Sequence, residues 1–249
     1  TGFKGSWLSL MLHMQGHTVS GISLDPESKS MFIETHLHDI FENDIRHDIR
    51  LQSKLTSEIV RIDPEIIIHL AAQPLVRESY NRPIETFEIN VLGTLNVLEA
   101  TKHLKNLQAT LVITTDKVYK NENLLSGYIE TSTLGGDDPY SASKACADIA
   151  TQSWVKSFAK SPVAIARAGN VIGGGDWSKD RIIPDLIMAY ESGQIPILRY
   201  PNAIRPWQHV LDCLNGYLVL IDSMTSNRVS GEWNFGPDRK STRLNSSHR

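Results

Sequence analysis

The sequence predicts an α/β fold in which helices cover both faces of a doubly wound parallel sheet. Short apolar runs at 66–70, 109–114 and 163–167 alternate with longer segments of helical periodicity. Runs this apolar are typical of strands buried on both faces, as in parallel sheets joined through crossover helices. A chain of 249 residues can hold one large domain, or one domain with a small lobe.

The individual elements follow in a regular order. A glycine-bearing turn opens the chain, and a first strand is predicted at 17–24. Helices are predicted at 7–14, 51–62, 83–104 and 141–158, and the last three each precede one of the apolar strands. After Gly173, glycines, prolines and tryptophans crowd the sequence, which indicates a smaller lobe over the carboxyl edge of the sheet.

These features divide the chain into three parts. Residues 1–166 are predicted to form the sheet domain, and 167–239 a partial substrate-binding lobe interleaved with the sheet. The segment 240–249 has one apolar residue in ten and no period, so we expect a non-native or disordered tail.

Composition narrows the class of protein. A net charge of −3 gives no broad basic field for nucleic acid. The two cysteines, Cys146 and Cys213, cannot form a disulfide framework, and we expect buried thiols in a reducing cytoplasm. No apolar run approaches the ~20 residues that a membrane span needs.

A dinucleotide site is indicated at the start of the chain. Gly2, Phe3 and Gly5 open a helix, where the backbone can approach a diphosphate at the helix N-terminus. Asp25 ends the next strand about 20 residues later, where a carboxylate accepts from an adenosine ribose and repels a 2′-phosphate. NAD is therefore favoured over NADP. Taken singly, the glycines also fit a structural turn and Asp25-Pro26 a turn initiator.

Further cofactor positions fall at strand ends on the same edge of the sheet. Asp48 and Ile49 are placed to meet the adenine, and Thr114 ends a strand. Small residues are predicted to pass beside the diphosphate at Leu70, Ala71, Ala72 and Gln73.

The catalytic candidates begin with Tyr140 and Lys144. Their four-residue spacing puts a phenol and an ammonium on one helix face, where the ammonium would lower the pKa of the phenol. The same lysine could bind the nicotinamide ribose. A chance match of this spacing would instead be a solvated helix face.

A hydroxyl, an acid and an amine follow the buried strand at Thr115, Asp116 and Lys117. A simple dehydrogenase needs only a hydroxyl, the tyrosine and the lysine. The additional acid and amine therefore indicate more proton transfers than one hydride transfer requires. The alternative is a loop with surface charges.

Nine segments, in order, carry a family resemblance. They are TGFKGSWL (1–8), SLDP (23–26), HLAAQPLVR (69–77), TTDKVY (114–119), GGDDPYSASK (135–144), RAGNVIGGGDW (167–177), DRIIPD (180–185), RPWQHVLD (205–212) and WNFGP (233–237). With them the chain resembles the extended short-chain dehydrogenase/reductase family, and within it the nucleotide-sugar 4,6-dehydratases. The resemblance implies a Rossmann-type sheet domain that binds NAD.

The resemblance also implies a reaction. Tyr140 would take the proton of the sugar 4-hydroxyl, Thr115 would hydrogen-bond that oxygen, and Asp116 would be the acid in a later loss of water. Lys117 stands where the dTDP-glucose relatives carry glutamate, and this favours CDP-glucose as the substrate. Open alternatives are another nucleotide-sugar 4,6-dehydratase, a 4-epimerase and a non-catalytic NAD-binding scaffold.

Substrate contacts are inferred more loosely. Asn170 is placed to meet the sugar diphosphate, and Arg181 and Arg205 could clamp phosphate oxygens. Arg77, together with Gln73, could orient the substrate. His209 could line a base pocket with the tryptophans at 177 and 207, or these side chains could simply pack the lobe. No metal is implied.

Relative to the family pattern, a first strand and a first glycine are expected before Thr1, and more of the lobe after Pro237. We therefore expect residues 1–249 alone to be poorly soluble or inactive. A homodimer or higher oligomer is expected through the helices near 83–104 and 141–158.

Overall fold

The computed structural model describes residues 1–122, 124, 127–196, 198 and 205–237, so the predicted tail at 240–249 lies outside it. The strands are β1 (Val19–Ser23), β2 (Phe41–Arg46), β3 (Ile66–His69), β4 (Ala109–Thr115), β5 (Val163–Ala168), β6 (Val171–Ile172), β7 (Gln208–His209) and β8 (Gly231–Phe235). The helices are α1 (Phe3–Met14), α2 (Met31–Glu34), α3 (Gln52–Ile62), α4 (Val76–Asn81), α5 (Pro83–Phe87), α6 (Gly93–Thr101), α7 (Pro139–Phe158), α8 (Ile182–Glu191) and α9 (Val210–Asn227).

The main sheet has four parallel strands in the order β3-β4-β5-β8. Every residue of β4 and β5 is buried, because both faces of the sheet are covered. Leu111 and Ile113 pack with α1 and α9 on one face, whereas Val112 packs with α6 and α7 on the other. The predicted parallel sheet with helices on both faces is confirmed.

A second parallel pair, β1 with β2, lies beside the main sheet. Within the described residues, no strand pairs with both β1 and β3, and a cavity lies between their facing edges. Strand β2 was not predicted from the sequence. Its residues alternate between exposed and partly buried, and Glu42 and Asp44 interrupt the apolar pattern by which the other strands were found.

Most predicted elements match the observed ones closely. The helix predicted at 83–104 is present, but one π turn at Glu88–Leu92 separates α5 from α6. The expectation of two buried thiols is half wrong: Cys213 is buried, whereas Cys146 is exposed because it lies on the outer face of α7.

The chain returns to the sheet after the segment rich in glycine and proline. β6 and β7 form a short parallel pair beyond the end of β5. Helix α9 then packs against β4 and β5, and β8 pairs with β5. Residues 210–235 thus contribute to the sheet from within the range predicted as a lobe. Among the described helices, none combines the length and apolarity that crossing a bilayer demands.

Candidate active site

One cavity of about 2500 Å³ runs along the carboxyl edge of the sheet and into the space between β1 and β3. Ligands of open parallel sheets bind at this edge. The cavity collects most of the predicted site residues, namely Gly2, Phe3, Gly5, Asp25, Asp48, Ile49, Leu70, Ala71, Ala72, Arg77, Thr114, Thr115, Asp116, Lys117, Tyr140, Lys144, Asn170, Arg181 and Arg205.

Tyr140 and Lys144 are held by the first turns of α7. Asp138 caps this helix, with its Oδ1 accepting from Ser141 N at 2.9 Å. The backbone N–H of Tyr140 donates to Ser79 Oγ at 3.1 Å. Lys144 is buried, and its Nζ donates to the Ile113 carbonyl of β4 at 2.8 Å. Both side chains therefore face the end of the sheet.

Burial dominates the protonation of both groups. It raises the pKa of Tyr140 to about 12, although the hydrogen bond with Thr115 acts in the opposite direction. Burial, together with the nearby Lys4, lowers the pKa of Lys144 to about 8. The pKa of the phenol is thus raised where the sequence led us to expect a lowered one, because burial outweighs the hydrogen bond with Thr115 and the positive charge of Arg181.

The turn at residues 115–118, which we call the catalytic turn after its predicted role, begins where β4 ends. Asp116–Val118 form a 3₁₀ turn, in which Thr115 Oγ1 donates to Asp116 Oδ1 at 3.0 Å and accepts from Lys117 N at 3.4 Å. Burial and the positive charge of Arg205 lower the pKa of Lys117 to about 8. An amine with such a pKa is partly neutral near pH 7, so it can act as a base.

The glycines at the start of α1 border open space. Gly2 is the N-cap of α1 and has an ordinary φ of −75°, with no side chain capping the helix. A Cβ added at Gly2 or Gly5 would meet nothing within 4 Å. Neither glycine is therefore required by backbone strain or by packing, and both leave room beside the N–H groups of the helix terminus for an anionic ligand.

The two acids predicted to meet the cofactor differ in their surroundings. The Asp25 side chain is 91% exposed, with Arg46 Nε 3.7 Å from its Oδ1. Asp48 is bound by Arg50 at 2.6 Å, and this hydrogen bond lowers the pKa of the carboxyl. Ile49 packs so closely on α6 that a Cβ at Gly93 would lie 2.4 Å from its Cδ1.

Two predicted residues, Gln73 and His209, do not line the cavity. The Gln73 amide is held by nearby protein atoms, because it donates to the Leu75 carbonyl in its own loop and to Thr86 Oγ1 of α5. His209 is the N-cap of α9, and its Nδ1 accepts from Leu211 N at 3.3 Å. Both side chains are therefore occupied by local backbone or side-chain partners.

The substrate side of the cavity carries three arginines. Arg181 pairs with Asp176 at 2.7 Å, and Arg77 pairs with Asp180 at 2.6 Å. Burial lowers the pKa of Arg205. Among the described residues, no group of three or more His, Cys, Asp or Glu side chains is placed to hold a metal ion.

The sequence predictions missed two features near the site, the partly buried Lys4 and a buried ion pair. Lys4 lines the cavity and donates to Tyr217 Oη at 3.2 Å. Arg167 and Asp148 form a fully buried ion pair between β5 and α7. Each left a signal in the sequence: Lys4 is a charged residue inside a glycine turn, and Arg167 lies in an otherwise apolar strand, where a charge needs a partner.

Comparison with known proteins agrees with this architecture. Over 95% of its length the chain is 47% identical to CDP-glucose 4,6-dehydratase of Salmonella typhimurium, of which it covers 69%. UDP-glucuronic acid 4-epimerase of Bacillus cereus, solved with UDP-glucuronic acid and NAD, superposes with a TM-score of 0.82 at 24% identity, over 96% of this chain and 76% of that one.

A dTDP-glucose 4,6-dehydratase of Streptomyces venezuelae, solved with NAD bound, gives a TM-score of 0.80 at 24% identity, over 94% of this chain and 73% of that one. At this identity, the two solved structures establish the shared fold. Residues 1–236, which include every described element, match the NAD dependent epimerase/dehydratase family. The chain therefore belongs to the NAD dependent epimerase/dehydratase family.

Proposed function

We propose that this protein is an NAD-dependent dehydratase that converts CDP-glucose to CDP-4-keto-6-deoxyglucose. The observation that carries the proposal is one cavity that holds two sets of groups. Thr115, Tyr140 and Lys144 suit the oxidation of an alcohol, while Asp116 and Lys117 suit the removal of water. The 47% identity to a CDP-glucose 4,6-dehydratase supports the choice of nucleotide.

The residues of the cofactor edge fit NAD. Open space beside Gly2 and Gly5 leaves a cradle for a diphosphate at the N-terminus of α1. Asp25 is free to accept hydrogen bonds from a ribose, and its charge disfavours a 2′-phosphate. When bound, NAD+ supplies the acceptor for hydride from C4 of the sugar, and its reduced form supplies the hydride that returns to C6.

In the oxidation, Tyr140 takes the proton of the sugar 4-hydroxyl. The hydrogen bond with Thr115 and the charge of Arg181 both favour the phenolate, although burial opposes it. The positive charge of a protonated Lys144 also favours the phenolate form of Tyr140. The proton of the alcohol ends on the phenol, and Thr115 holds the oxygen as it becomes a ketone.

In the elimination, Lys117 and Asp116 act together. The C4 ketone acidifies the C5 proton, because the resulting carbanion is stabilised as an enolate. Lys117, as a neutral amine, removes that proton, and Asp116 protonates the C6 hydroxyl, which leaves as water. When hydride adds at C6, the ammonium of Lys117 returns its proton to C5. The pKa of Lys117, lowered to about 8, supports its role as the base.

Two other functions would use the same fold, namely 4-epimerisation and the binding of NAD without catalysis. A 4-epimerase needs the hydroxyl, the phenol and the ammonium, but has no use for Asp116 and Lys117 as an acid–base pair. A non-catalytic NAD-binding scaffold would be expected to have lost part of the set formed by Thr115, Tyr140 and Lys144. The presence of all five groups in one cavity favours the dehydratase.

The test is turnover of a panel of nucleotide sugars. The purified protein is incubated with NAD+ and, separately, with CDP-, dTDP-, UDP- and GDP-glucose. We expect a 4-keto-6-deoxy product, detected by its alkali-induced absorbance, with CDP-glucose preferred. An isomer of the substrate would establish an epimerase, and preference for another nucleotide would overturn the choice of CDP.

We also propose a homodimer in the cytoplasm. Apolar side chains stand exposed on the helices suggested for the contact: Ile84 on α5, Leu92 in the π turn, and Ile149 and Phe158 on α7. Burial of this face would remove apolar surface from water. Sedimentation of the Ile149→Glu variant as a monomer, with the unchanged protein as a dimer, would support this contact.

A further inference from the structure

Tyr119 directly follows the catalytic turn, and three contacts fix its side chain. The residue is buried, and its Oη donates to Asn234 Oδ1 of β8 at 2.6 Å. The same oxygen accepts from Arg167 Nη1 at 3.0 Å. Its ring stacks on that of Tyr128, with centroids 5.2 Å apart and an interplanar angle of 7°. The position of this phenol is therefore set by three independent contacts.

The arginine that holds Tyr119 also holds the catalytic helix. Arg167 Nε and Nη2 donate to the two carboxylate oxygens of Asp148, each at 2.8 Å. Asp148 lies one turn beyond Lys144 on α7, and both members of the pair are shielded from solvent. Such bidentate, desolvated pairs are geometrically specific. One guanidinium thus connects the turn at 115–118 with the helix that carries Tyr140.

We propose that the Tyr119 hydroxyl is a positioning group for Asp116 and Lys117, acting separately from the groups that oxidise C4. The proposal rests on the dehydratase function argued above. Tyr119 follows the 3₁₀ turn directly, so the hydroxyl fixes the point at which the chain leaves the turn. Removal of the hydroxyl leaves the Arg167–Asp148 pair intact, and therefore loosens the turn without releasing α7.

The test compares Tyr119→Phe with Tyr128→Phe. Both variants lose one hydroxyl from the same stacked pair. Among the described residues, however, the Tyr128 hydroxyl bonds to the neighbouring loop, where it accepts from Glu122 N at 2.7 Å and donates to Asn121 Oδ1 at 3.5 Å. We expect Tyr119→Phe to lower kcat for dehydration by about tenfold to a hundredfold with little change in KM, because small displacements of catalytic groups cost this much. Tyr128→Phe should retain the starting activity.

The proposal assigns the loss to the elimination step. In a single turnover, Tyr119→Phe should accumulate the absorbance of reduced nicotinamide, because C4 is still oxidised while water leaves slowly. Hydrogen exchange gives a second readout, independent of turnover. Peptides covering 115–118 should exchange faster in Tyr119→Phe, whereas peptides covering 139–145 should be unchanged. Should Tyr119→Phe fail to fold, Asn234→Ala removes the other partner of the hydroxyl from an exposed position and is expected to act in the same direction.

Equal losses in the two tyrosine variants would overturn the proposal, as would unchanged exchange at 115–118. Slowed oxidation with no accumulation of reduced nicotinamide would show that the hydroxyl acts on the whole site. If the unchanged protein dehydrates no nucleotide sugar, the proposed function fails. The exchange comparison then still decides whether Tyr119 fixes the turn.

Discussion

The cavity has two ends, which we name after their predicted roles: a catalytic end with Thr115 and Lys144, and a cofactor end with Gly2, Gly5 and Asp25. The two ends are built in different ways. At the catalytic end, Thr115 and Lys144 are buried and bonded to neighbouring protein atoms. At the cofactor end, Gly2 and Gly5 face open space, and Asp25 extends into solvent. The proposed catalytic groups are therefore held by protein contacts, whereas we expect Gly2, Gly5 and Asp25 to gain their main partners when a ligand binds.

This difference has an electrostatic consequence. Burial at the catalytic end shifts the pKa of Tyr140 up to about 12 and those of Lys117 and Lys144 down to about 8. Each shift favours the uncharged form of its group. The proposed chemistry at the catalytic end thus depends on groups that are costly to charge, whereas the proposed binding of NAD depends on the open space beside Gly2 and Gly5.

The largest expected effect is the loss of the phenol at the catalytic end. Tyr140→Phe should lower kcat by about a thousandfold, because proton transfer by a positioned group contributes on this scale. NAD affinity, measured by calorimetry, should stay within about twofold. The control is Tyr190→Phe, which removes an exposed hydroxyl from α8. Comparable turnover in the two variants would remove Tyr140 from the mechanism.

The pH dependence of kcat gives a sharper test, which concerns the role of Lys117 as a base. An amine must be neutral to accept a proton, so kcat should rise as the pH increases through about 8, the pKa of the Lys117 amine. Lys117→Met should lower kcat by about a hundredfold and abolish this rising limb. Lys117→Glu should move the limb to a more acidic pH, since carboxylates ionise near pH 4. An unchanged pH profile in Lys117→Met would assign the proton transfer to another group.

The sequence predicted the main sheet well because its signal is local. The strands β4 and β5 are continuous apolar runs, and Asp138-Pro139 marks the start of α7. Strand β2 was missed because its polar residues alternate with partly buried ones. The π turn in the helix after Pro83 has no local signal, since it depends on packing against α7.

Most residues of the candidate site could be predicted from the sequence, but their hydrogen bonds and pKa values could not. Spacing placed Tyr140 and Lys144 on one helix face, yet the contact of Lys144 with Ile113 and the raised pKa of the phenol depend on burial. Gln73 was expected at the cofactor edge, but its amide donates instead to the Leu75 carbonyl and to Thr86 Oγ1 of α5. These outcomes are set by tertiary contacts that a linear motif does not contain.

Gly136 near the catalytic end and Gly2 at the cofactor end allow a matched comparison of how a glycine affects stability. A Cβ at Gly136, just before α7, would lie 2.3 Å from Ala142 N, whereas a Cβ at Gly2 meets nothing within 4 Å. Gly136→Ala should therefore destabilise the fold by about 1–3 kcal/mol, seen as a lower Tm. Gly2→Ala should leave Tm within about 2 °C and weaken NAD binding by about tenfold. A lower Tm in Gly2→Ala would show that the glycine serves the fold.

The smallest effect is expected at the most exposed residue of the cofactor end. Asp25→Ser removes a charge that repels a 2′-phosphate and leaves Arg46, 3.7 Å from Asp25 Oδ1, to face that phosphate. Because this carboxylate is in solvent, screening limits its influence, and we expect NADP affinity to rise by about tenfold. Titration calorimetry with NAD and NADP measures the change. The control, Asp39→Ser, removes an exposed carboxylate that does not line the cavity. If NADP binds the Asp25→Ser and Asp39→Ser variants equally, the preference for NAD originates elsewhere in the cavity.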